Sequence, residues 1–69
     1  MIEVFKTNVQ GKRMAQSIVG ELLLRFPQAK INFDLHDCDK ILRIECLTLC
    51  VDHVVEVLKN KGFYCEVLD

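Results

Sequence analysis

Two hydrophobic periodicities alternate along these 69 residues, and their order limits the folds that the chain can adopt. Residues 30–36 alternate strictly between apolar and polar side chains, a pattern typical of a half-buried strand. Residues 11–26 instead repeat apolar side chains at helical spacing. Pro27 ends this helix because proline clashes with the preceding turn and donates no amide hydrogen bond. A helix followed by a strand is therefore predicted in the first half of the chain.

The remaining elements follow from the same two periods. Residues 2–7 and 41–47 are predicted as strands on either side of this pair, and the polar turn 37–40 connects the second strand to the third. A second helix is predicted from about Cys50 to Asn60, with Gly62 as its terminating residue. The last strand is expected over residues 63–68.

The order strand, helix, strand, strand, helix, strand predicts an α+β ferredoxin-like βαββαβ fold. Its four-stranded antiparallel sheet should have the order 4-1-3-2, with two helices on one face. Residues 1–69 are predicted to form a single domain. A chain this short buries only about 60% of its unfolded surface. Its apolar content of 51% is high enough for a core that needs no metal or disulfide.

The periodicities also predict which side chains form that core. Each helix is expected to bury one apolar face, and each strand its alternate residues. The predicted core residues are Met14, Ala15, Ile18, Val19, Leu22, Leu23 and Phe26; Val51, Val54, Val55 and Leu58; and Ile31, Phe33, Leu35, Leu42, Ile44, Cys46, Phe63, Cys65 and Val67.

Charge and hydropathy exclude several classes of partner. The chain has 9 basic and 10 acidic residues and a net charge of −1, which gives no general attraction to nucleic acid or to anionic membranes. No apolar run approaches the roughly 18 residues of a membrane span, so no membrane insertion is expected. The first residues lack the pattern of a secretory signal. We therefore expect a cytoplasmic protein with reduced thiols.

The strand–loop–helix start and the pair Gly62-Phe63 before the last strand are similar to the heavy-metal-associated domain, the fold of copper chaperones. In that family the first loop has the sequence Met-X-Cys-X-X-Cys, and its two thiolates bind Cu(I) or another soft ion. When Val9 is aligned with the family's methionine, Gly11 and Met14 occupy the two cysteine positions. The resemblance therefore implies the family's scaffold without its metal site, and no metal is expected at Gly11 and Met14.

The four cysteines lie elsewhere in the chain. Cys46 and Cys65 are predicted to be small buried side chains on strands that the first strand separates. Cys50 should begin the second helix, where the helix dipole favours a thiolate. With His53 one helical turn further on, Cys46, Cys50 and His53 form the alternative metal site, which would suit zinc or copper. Only weak binding of Cu or Zn is expected there.

Two further groups of side chains are more simply explained as solvated surface than as sites. Cys38 lies in the polar turn, and with His36 it offers at most a weak metal contact. Five basic side chains are expected at the end of the fold that carries the first loop, where they and the free amides at the helix start could hold an anion. They are Lys12, Arg13, Lys40, Lys59 and Lys61.

Three other functions share this topology. The triplet Val9-Gln10-Gly11 resembles the phosphate-binding loop of acylphosphatases, but Ala15 stands where those enzymes have their arginine. RNA-recognition domains stack bases on aromatic residues of the central strands, whereas the third strand here would present Ile41, Arg43 and Glu45. A small-molecule-sensing regulatory domain stays open, as does a homodimer.

From these observations we predict a protein that is not an enzyme and has no catalytic or cofactor-binding residues. The preferred function is a protein-interaction module that has lost the usual metal-binding cysteine pair, with a partner the sequence does not name. The outer face of the sheet, where Ile41 lies among polar neighbours, is a candidate partner surface. The alternatives are metal handling through the relocated site and small-molecule sensing.

Overall fold

A computed structural model describes residues 1–36, 38 and 40–68 of the chain. In chain order the elements are β1 (Ile2–Thr7), α1 (Lys12–Arg25), β2 (Lys30–Asp34), β3 (Ile41–Glu45), α2 (Val51–Asn60) and β4 (Cys65–Val67). This is the predicted βαββαβ order.

The strands form one sheet in which every pair is antiparallel. Its order is β2-β3-β1-β4, which is the predicted order 4-1-3-2 counted from the opposite edge. Phe5 of β1 lies opposite Leu42 of β3 on one side and opposite Val67 of β4 on the other. The predicted α+β ferredoxin-like arrangement is confirmed. It leaves β2 and β4 as the two outer strands.

The residues that end each helix are those expected from the sequence. The N–H of Phe26 donates to the Leu22 carbonyl at 2.8 Å, and Phe26 itself leaves helical geometry, as a residue before proline does. At the end of α2 the N–H of Gly62 donates to Lys59 and that of Phe63 to Leu58, a Schellman motif. Gly62 has φ +89°, a conformation that favours glycine.

The core lies between the two helices and one face of the sheet. Among the described residues, its buried apolar side chains are Phe5, Val9, Ala15, Ile18, Leu22, Leu42, Ile44, Val54, Val57 and Leu58. Because Leu42 and Ile44 are buried, Arg43 and Glu45, which alternate with them along β3, point to the opposite face. Neither helix of the described chain covers that face, which we call the open face.

Some predicted core positions at the sides of the helical apolar faces are wrong. Met14 is 40% exposed because it lies at the side of the α1 stripe centred on Ile18. In α2 the buried face includes Val57, while Val51 and Val55 are only half-buried. α2 packs against both α1 and β4, and this contact on two sides turns Val57 inward.

The strands are shorter than predicted at their ends. β2 ends at Asp34, and β3 ends at Glu45, so Cys46 follows the strand and is half-buried. Phe63 likewise precedes β4 and packs against the core from outside the sheet. In the described part of the chain, neither helix has the length and apolar character needed to cross a membrane.

Candidate functional site

The loop between β1 and α1 is held from within by Val9, whose side chain is fully buried. The Val9 N–H donates to the Thr7 hydroxyl oxygen at 3.2 Å, and that hydroxyl donates to the carbonyl oxygen of Lys40 at 2.6 Å. On the other side, the N–H of Tyr64 donates to the Asn8 carboxamide oxygen at 2.8 Å. Chain segments that are distant in sequence therefore fix this loop by hydrogen bonds.

The two positions that the resemblance aligns with metal ligands lie where α1 begins. Gly11 is the N-cap residue of α1, and its carbonyl accepts the Ala15 N–H at 3.0 Å. A Cβ added at Gly11 would meet no atom within 4 Å. Met14 is exposed, and its thioether is the one sulfur atom in this part of the loop and helix. The scaffold has room for ligands here, but the sequence supplies a single weak one.

The structure does not bring Cys46, Cys50 and His53 together as a ligand set. The Cys46 thiol donates to the Thr48 carbonyl at 3.3 Å, and Cys50 is exposed at the N-cap of α2, as predicted. The His53 ring instead stacks edge-on against Phe26, with 6.4 Å between the ring centroids. Among residues 1–36, 38 and 40–68, no group of three or more His, Cys, Asp or Glu side chains is placed to hold a metal ion.

The turn between β2 and β3 is described only in part. Cys38 is exposed, as expected for a polar turn, whereas its neighbours Asp37 and Asp39 lie outside the described residues. The His36 N–H donates to an Asp34 carboxylate oxygen at 3.2 Å, which starts the turn. Lys40 adopts φ +49°, an uncommon conformation for a residue with a side chain.

The predicted basic rim is partly used within the fold. The Lys40 ammonium donates to the Leu35 carbonyl at 3.0 Å. That of Lys61 lies 3.1 Å from a Glu21 carboxylate oxygen and 3.3 Å from the Ser17 hydroxyl, which links the end of α2 to α1. These two cations therefore have partners, and the remaining charge makes a weaker anion site than the sequence suggests.

Burial raises the pKa of the Cys65 thiol to about 11, above its ordinary value of 9.0. We expect iodoacetamide at pH 8 to label the exposed Cys38 and Cys50 quickly and Cys65 slowly, as measured by peptide mapping. The unfolded chain should lose the Cys65 proton first as pH rises. Between about pH 9 and about pH 11, the free energy of unfolding of the wild type should therefore fall relative to that of Cys65→Ala, as measured by urea titration. The same pH dependence of the free energy of unfolding in both proteins would contradict the raised pKa of Cys65.

A cleft of about 530 Å³ lies between α1 and the end of β2. Apolar side chains form its floor and polar side chains its rim. The lining residues are Gln10, Lys12, Ala15, Gln16, Val19, Phe33, Asp34, Leu35 and His36. The sequence alone does not predict this cleft, because the cleft depends on how α1 is placed above the edge of β2.

The open face carries apolar side chains among charges that are paired across strands. Lys30 lies opposite Glu45, and Lys6 lies opposite Glu66. The Tyr64 hydroxyl makes a short hydrogen bond with the Glu66 carboxylate, which raises the pKa of Tyr64. Ile2 is 59% exposed on this face. The outer edge of β2 pairs with no strand of the described chain.

Comparison of the chain with protein-family models, with curated proteins and with solved structures finds no match.

Proposed function

We propose that this domain is a non-catalytic protein-interaction module, similar to heavy-metal-associated domains but without their metal loop. The observation that carries the proposal is the unpaired outer edge of β2, beside an open sheet face with exposed apolar side chains. Edge strands have unpaired backbone groups that can pair with another chain, and many recognition domains bind in this way.

The first loop supports the same proposal. Gly11 and Met14 occupy the positions that the resemblance aligns with metal ligands. The loop is shaped instead by two hydrogen bonds, one from the Val9 N–H to the Thr7 hydroxyl and one from the Tyr64 N–H to Asn8. The four free thiols suit the reducing cytoplasm, where we place the protein. In this proposal the scaffold is kept for binding another protein.

Native mass spectrometry with added Cu(I) and Zn(II) tests the loss of the metal function. We expect no bound metal, or only weak binding of several ions, in the reduced wild type. The variant with Gly11→Cys and Met14→Cys is the positive control, because it restores the family's thiol pair at positions that have room for it. One tightly bound ion in the wild type would overturn the proposal and favour a carrier.

Photocrosslinking in cells that express the protein tests the interaction itself. A photoreactive amino acid at Asn32, on the open face of β2, should give a crosslinked product that mass spectrometry maps to defined residues of a protein partner. The same group at Lys59, exposed on α2 on the β4 side of the domain, is the control for random collisions. Equal, unmapped labelling from both positions would contradict an interaction at the sheet edge.

The cleft favours a second candidate function, small-molecule sensing. Its volume of about 530 Å³ falls within the range of ligand pockets, and its apolar floor with a polar rim fits a small amphipathic molecule. Val19→Trp would fill the cleft at a half-buried position. A metabolite that raises the melting temperature of the wild type and not of this variant would favour sensing over protein interaction.

A further inference from the structure

We infer that the partner at the β2 edge is a second copy of this chain. In this dimer β2 pairs antiparallel with its symmetry mate, and two four-stranded sheets join into one. The inference rests on the proposed function and deepens it, since it names the partner. It follows from the backbone groups that face outward, from the charges along β2 and from the side chains on its two faces.

The hydrogen-bonding pattern of the sheet identifies the outward backbone groups. The Cys46 N–H donates to the Met1 carbonyl, so Ile44 and Leu42 turn their backbone groups toward β1 and the residues between them face β2. On the other side of β1, the bond from the Leu68 N–H to the Val4 carbonyl agrees with the same alternation.

The alternation continues into β2. Lys30, Asn32 and Asp34 lie opposite the β3 residues whose backbone groups face β2, so their own groups are used within the sheet. The N–H and carbonyl groups of Ile31 and Phe33 therefore face the free edge. These two residues supply the donors and acceptors for a further strand.

Only certain registers of two antiparallel β2 strands use these groups. Ile31 can lie opposite Phe33 of the second copy, or each can lie opposite its own equivalent. The first register makes two hydrogen-bonded pairs around an axis at Asn32, and it also places Lys30 opposite Asp34 twice. The other two registers do not place this cation opposite that carboxylate. The charges of β2 therefore select one register.

Side chains on both faces fit this register. Ile31 and Phe33, which point toward the helices, would form β-branched–aromatic pairs across the axis. Asn32 on the open face would meet its equivalent, and a carboxamide can both donate to and accept from another carboxamide. The added strand would also extend over the cleft beside Val19, so apolar surface of the cleft would be removed from solvent.

The other edge fits a second copy less well. β4 has three residues against five in β2, and it has no oppositely charged pair that self-pairing would bring together. Short edge strands are one means by which proteins limit edge-to-edge pairing. This difference assigns the dimer contact to β2.

Sedimentation equilibrium of charge variants tests the register. We expect the wild type to dimerise with a dissociation constant between about 10 μM and about 1 mM, as for a small interface. Lys30→Glu and Asp34→Lys should each weaken the dimer by about tenfold or more, because each places like charges opposite one another twice. The double variant, and an equimolar mixture of the two single variants, should recover dimers.

The rescue separates pairing between chains from effects within one chain. Lys30→Glu also places a carboxylate opposite Glu45 of the same chain, where the two negative charges repel each other. This repulsion within one chain persists in the double variant. Recovered dimers would therefore report contacts between copies. A wild type that stays monomeric to about 1 mM, or single variants that dimerise as well as the wild type, would overturn the inference.

A disulfide locates the axis. In a background with Cys38→Ser and Cys50→Ser, Asn32→Cys should form a dimer under mild oxidation, since facing residues at such a position lie about 4.5 Å apart. Arg43→Cys is the matched control on the same row of the sheet, one strand further in. Its thiols would be about 14 Å apart, too far to bond. Equal crosslinking of both variants would overturn the register.

The crosslinking from Asn32 in cells distinguishes the two proposals. A product between two copies supports both of them. A product with a different protein, together with a monomeric wild type, overturns self-pairing and keeps the interaction module. If neither product forms above the Lys59 control, the interaction module fails as well.

Discussion

Replacing Leu22 by alanine is expected to lower the free energy of unfolding by about 2–5 kcal/mol. Leu22 is fully buried, and it lies in the core cluster with residues of both helices and of the sheet. The truncation removes apolar burial and leaves a cavity that a domain of this size fills poorly. Urea titration followed by circular dichroism measures the change.

Leu24→Ala is the matched control, because Leu24 lies on the same helix and is 84% exposed. It should change the stability by no more than about 0.5 kcal/mol. If Leu22→Ala proves unfolded, Leu22→Met keeps most of the volume and should cost less than about 1.5 kcal/mol. Equal effects of Leu22→Ala and Leu24→Ala would show that the buried face of α1 is assigned wrongly.

Thr7→Val is expected to lower the free energy of unfolding by about 1–3 kcal/mol although the two side chains have similar shapes. The hydroxyl accepts from the Val9 N–H and donates to Lys40, and Thr7 is itself buried. Valine leaves the Val9 N–H without its partner. Because Lys40 has positive φ, losing this bond should also loosen the turn around it.

Thr7→Ser is the control, since it keeps the hydroxyl and removes one methyl group. Amide hydrogen exchange at Val9 adds a local readout: it should accelerate strongly in Thr7→Val and little in Thr7→Ser. A Thr7→Val protein as stable as the wild type, with unchanged exchange at Val9, would contradict the role given to this hydroxyl.

The fold was predictable because local signals agree with one another along the chain. Strict alternation around Phe33, Pro27 after α1 and Gly62 after α2 each mark one boundary or face, and the structure confirms them. The failures occur where tertiary contacts decide. Met14 is exposed although it is predicted in the core, and Val57 is buried although it is not among the predicted core residues. Helical periodicity gives the width of an apolar face but not its rotation against neighbouring elements.

The candidate sites were less predictable than the fold. The missing cysteine pair at Gly11 and Met14 can be seen in the sequence alone. Cys46, Cys50 and His53 do not form a ligand set because tertiary packing decides their placement, and the His53 ring packs edge-on against Phe26. The hydrogen bonds of Thr7 are also not predictable from the sequence, because a threonine at the end of a strand fits the alternating pattern whether or not its hydroxyl is buried. The free edge of β2, by contrast, follows from the predicted strand order 4-1-3-2, in which β2 is an outer strand.

The position of β1 in the sheet bears on how the domain folds. β1 comes first along the chain, yet its two neighbours are β3 and β4 from the second half. Neither half of the chain therefore contains a contiguous sheet, and contacts such as Phe5 with Val67 join residues far apart in sequence. Formation of such contacts requires the closure of long loops. A chain cut between β2 and β3 should thus yield two fragments that are unstructured apart and acquire structure only when they are recombined.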